Sequence, residues 1–222
     1  MTPNVLVNAN DLKRNANVKL ITSKFPFINR FDASYHVDAS CLQILRVQKI
    51  TISAQYHSIE KGHGWIHTGK VGNWCSFLRF LSACAARTTY ATCVWIENDI
   101  RVSDEMLRIL VMSTQDMLSG KEPFPIVHPG GSWEVVIVLQ RRALEILRLF
   151  QNFQIKRPVD VEFWSKKPPH KLVSDKIQWR QEISGIPISI SKHRNESSIV
   201  CSNCKLVTTQ WVNEQIMSTI AQ

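Results

Sequence analysis

The sequence predicts a mixed α/β fold in one domain. Through the middle of the chain, short runs of β-branched and apolar residues alternate with longer segments whose apolar residues recur at helical spacing. This alternation is typical of helices packed on a sheet. Hydrophobic residues make up 44% of the 222 residues and charged residues 20%, which excludes disordered and collagen-like chains. A chain of this length buries well over half of the surface that it exposes when unfolded.

The predicted elements follow from these local patterns. Strands are expected at 5–7, near 30–31, and at 89–96, 124–128, 133–139 and 186–190. Helices are expected at 12–23, 73–87, 141–153 and 158–164, and the tail at 205–222 has a polar–apolar pattern compatible with a helix. One more helix has marked ends, because Ser103 is a suitable N-cap and Gly120 can stop it. The segment 42–53 predicts no clear element, and the glycines at 62, 64, 69 and 72 predict an irregular loop.

The net charge and the cysteine content indicate the class of binding partner and the cellular compartment. The 27 Lys and Arg outnumber the 18 Asp and Glu, so the net charge is 27 − 18 = +9, which favours anionic partners. Six cysteines do not reach the density of a disulfide scaffold, and the first residues lack the layout of a secretion signal. We therefore expect reduced thiols and a cytoplasmic protein. No membrane span is expected either, because Arg79 and Arg87 interrupt the most apolar stretch, 74–96.

Two motifs resemble ligand sites and are better explained otherwise. Residues 64–70 have the glycine and lysine spacing of a phosphate-binding P-loop, but Val71 stands where Ser or Thr must hold magnesium, and no buried strand precedes them. An anion site at the start of the following helix remains compatible with this segment. Cys201 and Cys204 have zinc-knuckle spacing but form only half of a site, so two ordinary thiols are the simpler interpretation. The basic clusters lie in unlike segments and predict solvated faces rather than a nucleic-acid module.

The acidic sequence Glu97-Asn98-Asp99 is more specific. It directly follows the strand expected at 89–96, and the carboxyl ends of strands are where open α/β sheets bind ligands. Carboxylates spaced in this way can reach one hard cation such as Mn²⁺ or Mg²⁺, which prefers oxygen ligands. The alternative is a polar strand exit in which Glu97 or Asp99 caps the next helix. Spacing alone leaves both interpretations open.

Four segments in order resemble glycosyltransferase family 25, the lipopolysaccharide and procollagen galactosyltransferase type. In that family, the first strand ends in Asn, and a Gly-x-apolar-Gly segment precedes a Ser-His pair. An acidic Glu-Asp-Asp sequence follows a later strand. The fourth segment consists of a strand, a helix and a Pro-x-Asp sequence. The corresponding segments here are Val5–Asn8 with Arg14, Gly69–Gly72 before Ser76-Phe77, Val94–Asp99, and 135–147 with Pro158-Val159-Asp160. Phe77 replaces the family's His, and Asn98 replaces its middle carboxylate. The chain is also similar to glycosyltransferase domains of large algal viruses, for which the host cytoplasm would be the location.

The resemblance implies a GT-A type fold, a Rossmann-like mixed sheet flanked by helices, in a single domain 1–222. The core at 5–164 would bind the nucleotide-sugar and the metal, and the part at 165–222 would complete the site. A Mn²⁺ or Mg²⁺ ion would bind Asp99 and Glu97, with His170 as third ligand and His193 as second choice, although a surface histidine is the simpler role for either. Glu97 could instead accept from the ribose hydroxyls. The residues implied to bind the donor, most simply a UDP-sugar, are Asn8, Arg14, Lys70, Glu97 and Asn98.

The resemblance also suggests inversion at the anomeric carbon, which needs a carboxylate to take the proton of the acceptor hydroxyl. Asp160 and Glu162 are the only carboxylates between Glu145 and Asp175. If Pro158 begins a helix, Asp160 lies in its first turn, where the dipole keeps a carboxylate ionised. Asp160 is therefore the first choice of base and Glu162 the second, with a capping role for Asp160 as the alternative.

The sequence thus predicts a metal-dependent glycosyltransferase that acts on a glycan hydroxyl, binds no nucleic acid and has no membrane span. The alternative is a non-catalytic basic α/β module that binds nucleic acid or phosphorylated ligands.

Overall fold

The computed structural model describes residues 2–7, 19, 22–23, 29–34, 36–97, 104–127, 135–159, 161–162 and 204–218. The strands in these residues are Thr2–Val7 (β1), Asn29–Asp32 (β2), Thr51–Ile52 (β3), His57–Ser58 (β4), Gly62–His63 (β5), Trp65–His67 (β6), Thr92–Ile96 (β7), Ile126–Val127 (β8), Val135–Leu139 (β9), Gln154–Ile155 (β10) and Leu206–Thr208 (β11). The helices are Ala39–Val47 (α1), Thr68–Ala86 (α2), Asp104–Leu118 (α3), Gln140–Leu149 (α4) and Thr209–Ser218 (α5). The mixed α/β class is therefore confirmed. Within this part of the chain, no helix is both long and apolar enough to cross a membrane.

The largest sheet has five strands in the order β2-β1-β7-β9-β8. Strands β2, β1 and β7 are parallel, whereas β9 runs antiparallel to β7 and to β8. Every residue of β7 and β9 is buried, as expected for central strands whose sequences are nearly all apolar rather than alternating. The strands predicted at 89–96 and 133–139 are confirmed, with later starting residues.

The chain divides into two compact units. The first comprises 1–32, 83–143 and 166–197, and the second comprises 33–82, 144–165 and 198–222. The five-stranded sheet belongs to the first unit, where α3 packs against β9. In the second unit, the buried Trp74 ring lies 5.6 Å from Phe150 and 5.7 Å from Phe153 between ring centroids. The indole N–H of Trp74 donates to the Arg157 carbonyl, so this large side chain is satisfied at its polar end.

Two helices differ from the sequence-based expectation. Helix α1 lies largely inside the segment 42–53, for which no element is predicted; Asp38 caps it by accepting a 2.7 Å hydrogen bond from the Cys41 N–H. Helix α2 begins at Thr68, five residues before the predicted start at 73, so the expectation of an irregular loop at Gly69 and Gly72 is wrong. Both glycines are buried in the helix, and tertiary packing overrides their low helix propensity.

The other helices agree with the prediction more closely. Helix α3 ends at Leu118, and Gly120 follows with a φ of +76°, a conformation that favours glycine after a helix. Helix α4 covers most of the predicted 141–153. In the tail, α5 confirms a helix, and β11 precedes it. The predicted helix at 12–23 and the predicted strand at 186–190 lie mostly or wholly outside the described residues.

The expectation of reduced thiols is wrong. Cys41 is bonded to Cys75 and Cys84 to Cys93, with Cα–Cα distances of 5.0 and 5.9 Å, and Cys204 is disulfide-bonded as well. The described cysteines include no free thiol. These pairs are 34 and 9 residues apart in sequence, and only folding brings each pair within bonding distance. The cytoplasmic prediction depended on reduced thiols and loses that support.

Candidate functional site

The carboxyl ends of three parallel strands meet at one edge of the five-stranded sheet. In the strand register, Val5 of β1 lies opposite Ile96 of β7, and Val7 of β1 lies opposite Asp32 of β2. Strands β2 and β7 flank β1 on opposite sides, so the order of strands along the chain reverses between β1 and β7. This reversal is the topological switch point at which open α/β sheets bind ligands.

Glu97 follows β7 directly at this edge. Its side chain is half-buried, whereas all five residues of the preceding strand are buried. On the same sheet, the Trp95 ring lies 6.5 Å from the Phe31 ring between centroids, and this aromatic contact across β1 ties the ends of β7 and β2 together. The predicted acidic residue is thus anchored by a rigid strand while its carboxylate stays partly accessible.

Asp32 is a residue at this edge that the sequence analysis missed. It is the last residue of β2, and its side chain is exposed. The signal was available, since Asp32 directly follows the short strand expected near Arg30 and Phe31. The sequence alone did not show that β2 pairs with β1 in parallel, and that pairing is what places Asp32 at the same edge as Glu97.

The structure describes Lys70, Glu97 and Glu162 among the predicted site residues. Asn8, Arg14, Asn98, Asp99, Asp160, His170 and His193 lie outside the described residues. Among the residues that are described, no three or more His, Cys, Asp or Glu side chains group together as a metal site. Since Asp99 and His170 are not in that set, the proposed metal shell stays a prediction. Glu97 supplies the carboxylate oxygens that Mn²⁺ and Mg²⁺ prefer.

The segment 64–70 is not a P-loop. Residues 65–67 form β6, which pairs with β11, and α2 starts at the next residue. The Gly64 N–H donates to the Tyr56 carbonyl, and the Thr68 N–H donates to the Lys205 carbonyl, both at 2.9 Å. A P-loop turns such amides towards phosphate, but here they are used within the protein. Lys70 lies half-buried in the first turn of α2.

The Ser76-Phe77 pair, which resembles the family's Ser-His, has a structural role. The Ser76 hydroxyl accepts from the Ser34 N–H at 2.7 Å and lies within donating distance of the Ser34 and Gly72 carbonyls. Phe77 is fully buried, with its ring 6.3 Å from that of Phe80. The pair therefore holds the segment after β2 against α2, and Phe77 packs in the core of its unit.

A chain of polar contacts extends from this point. Arg79 donates to the Ser34 hydroxyl at 3.0 Å, and that hydroxyl contacts the Ser40 hydroxyl at 3.2 Å. Ser40 in turn donates to the Asp38 carboxylate at 2.6 Å. Because each member is bonded to the next, the network links Ser34 and Arg79 to the N-terminal end of α1.

Glu162 is the one candidate base that the structure describes. Its N–H donates to the Pro158 carbonyl at 2.8 Å, which is the helical contact expected if a helix begins near Pro158. Its side chain is only 5% exposed. A general base must come within hydrogen-bond reach of the substrate hydroxyl, so this burial counts against Glu162, and the base assignment stays a prediction.

Comparison with known proteins adds no family. No protein-family model matches the chain, and no curated protein sequence matches it.

Proposed function

We propose that this protein is a metal-dependent glycosyltransferase with a GT-A type sheet, which transfers a sugar from a nucleotide-diphospho-sugar, most simply a UDP-sugar, to a hydroxyl of a glycan. One observation carries the proposal: β1 and β7 are parallel neighbours at the switch point of a mixed sheet, and Glu97 lies at the carboxyl end of β7. The segments that resemble glycosyltransferase family 25 at Asn8 and at Glu97-Asn98-Asp99 directly follow these two strands.

The chemistry of the donor explains why these residue types suit this edge. A sugar diphosphate develops negative charge as the bond to the sugar breaks, and a divalent cation with nearby basic groups stabilises that charge. Asp99 and Glu97 would hold the cation, with His170 as third ligand. Asn8 and Asn98 would bind the nucleotide, and Arg14 would contribute positive charge.

The proton of the acceptor must leave as the new glycosidic bond forms. In an inverting reaction, the base lies across the sugar from the diphosphate, so the carboxylates that hold the metal cannot take this role. We assign it to Asp160, which would accept the hydroxyl proton while the hydroxyl oxygen attacks the anomeric carbon and the nucleoside diphosphate departs.

A thermal-shift experiment tests the proposal. UDP, GDP and ATP are added with and without Mn²⁺ to the wild type, Asp99→Asn, Glu97→Gln and the control Glu145→Gln, an exposed carboxylate on α4. At a ligand concentration of 100 times Kd, binding adds about 2.7 kcal/mol of stability, which raises the Tm of a chain this size by roughly 5–11 °C. We expect a shift for one nucleoside diphosphate that requires Mn²⁺, persists in Glu145→Gln and is lost in Asp99→Asn.

Two results would contradict the proposal. UDP affinity equal to that of the wild type in Asp99→Asn, at the same Mn²⁺ concentration, removes Asp99 from the site. Stabilisation by oligonucleotides that falls steeply with salt, without a response to any nucleoside diphosphate, favours the basic binding module instead.

A further inference from the structure

The hairpin of β4 and β5 carries two histidines directly opposite each other. His57 pairs with His63 in the antiparallel register. The neighbouring pair, Tyr56 and Gly64, is joined by a 2.9 Å N–H···O bond. Ladder bonds alternate along antiparallel strands, so His57 and His63 form a non-hydrogen-bonded pair, the type in which opposite side chains approach most closely. Their ring centroids are 4.9 Å apart, with the planes at 77°.

One of the two rings has a defined tautomer. The Nδ1 atom of His63 lies 3.1 Å from the Gln55 carbonyl. A carbonyl oxygen can only accept, so this contact is a hydrogen bond when Nδ1 carries the proton, and in the neutral ring Nε2 then presents its lone pair. Histidines that bind metals are oriented in this way, with the second nitrogen donating to a backbone carbonyl. Both histidines are exposed, so a cation from solvent can reach them.

We infer that His57 and His63 form a two-imidazole site for Zn²⁺ and similar late first-row divalent cations. Tetrahedral zinc with Zn–N distances near 2.0–2.1 Å needs its two nitrogens about 3.4 Å apart, and rings with this centroid separation reach that spacing through small side-chain rotations. Imidazole suits Zn²⁺, Ni²⁺ and Cu²⁺, whereas Mn²⁺ and Mg²⁺ prefer oxygen.

The surroundings fit a shallow site of modest affinity. In the described part of the chain no third His, Cys, Asp or Glu completes a cluster with the pair, so water would fill the remaining positions on the metal. The ammonium of Lys61, a cation in the same hairpin, lies 4.6 Å above the centre of the Trp65 ring, which gives this charge a partner of its own. The site belongs to the second compact unit and does not depend on the proposed transferase activity.

Zinc titration by calorimetry tests this inference. Zinc chloride is titrated into tag-free protein without reductant, so that the disulfide-bonded cysteines do not compete for zinc. The variants are His57→Ala and His63→Ala, and the matched control is His36→Ala, a half-buried histidine outside the hairpin. All carry single side-chain truncations, and circular dichroism checks their folding.

We expect the wild type and His36→Ala to bind zinc with equal affinity, and each hairpin variant to lose at least tenfold. A large excess of Mn²⁺ should leave zinc binding unchanged, which separates this site from the carboxylate site proposed at Glu97. The inference is overturned if the wild type binds no zinc at millimolar concentration. It is equally overturned if folded His57→Ala or His63→Ala binds zinc as the wild type does.

Discussion

Asn213 joins α5 to β3 through its side-chain amide. Its Oδ1 accepts from the Ile52 N–H at 2.8 Å, and its Nδ2 donates to the Ile52 carbonyl at 2.9 Å. On the other side of β3, the N–H groups of Thr51 and Ser53 donate to the segment that contains β10. The N–H and carbonyl of Ile52 face away from that pairing, and the amide satisfies both. The Asn213 side chain thus makes the two hydrogen bonds with Ile52 that the backbone of a neighbouring strand would make.

Replacing Asn213 with Ala removes both hydrogen bonds and leaves two polar groups of a nearly fully buried residue without these partners. A typical intramolecular hydrogen bond contributes about 1 kcal/mol net, and a buried group left unsatisfied costs about 1–3 kcal/mol. We therefore expect Asn213→Ala to lower the free energy of unfolding by about 2–4 kcal/mol. For a chain of this size, that corresponds to a fall in Tm of roughly 4–16 °C.

Urea unfolding followed by tryptophan fluorescence measures this change. Gln210→Ala is the control on the same helix, since it loses only an exposed side-chain bond to Glu214 and should stay within about 0.5 kcal/mol of the wild type. Asn213→Asp keeps the shape and one acceptor but sets a carboxylate oxygen against the Ile52 carbonyl, so it should also be destabilised. If Asn213→Ala matches Gln210→Ala, water replaces the amide at no cost and the reasoning is refuted.

Three further predictions concern the catalytic base, the segment 64–70 with its P-loop spacing, and a disulfide. Asp160→Asn should bind UDP and Mn²⁺ normally, but its rate of sugar transfer should fall by about a hundredfold or more. If only Glu162→Gln loses sugar transfer, Glu162 is the base. If neither variant loses it, the assignment of a base is wrong and a retaining mechanism takes its place. Purified protein should show no ATP hydrolysis that Lys70→Ala abolishes, and a phosphate-release assay checks this. Replacing both Cys41 and Cys75 with Ser should cost at least about 3–4 kcal/mol, because their bond closes a loop across a separation of 34 residues. Urea unfolding measures this cost, and a reductant should lower the stability of the wild type by more than that of the variant.

The candidate site shows where sequence-based prediction works and where it ends. The buried strand before Glu97 is visible in the sequence because the four consecutive apolar residues 93–96 are typical of a strand covered on both faces. An acidic residue at its carboxyl end is therefore predictable. Asp32 gives no such signal alone, since its place beside β1 depends on a parallel pairing that no local pattern encodes.

Helix α2 illustrates a different failure. Two glycines near its start resemble loop residues, because isolated glycine disfavours a helix. In the folded chain, Ser76 contacts the Gly72 carbonyl and binds the backbone of Ser34, and the helix is extended through positions that propensity assigns to a loop. Tertiary contacts, rather than the spacing of apolar residues, therefore explain why α2 begins earlier than predicted.

The mixed α/β class, the central strands and the amphipathic helices α3 and α4 are predictable from the sequence, because they depend on the spacing of apolar residues within one segment. Three features depend on the folded chain: the order of the strands, the pairing of Cys41 with Cys75 and of Cys84 with Cys93, and the contact of His57 with His63. Each of these joins groups that are separated along the chain or opposed across a turn. Their proximity depends on how the whole chain packs around its core, and a local pattern of residues does not encode that packing.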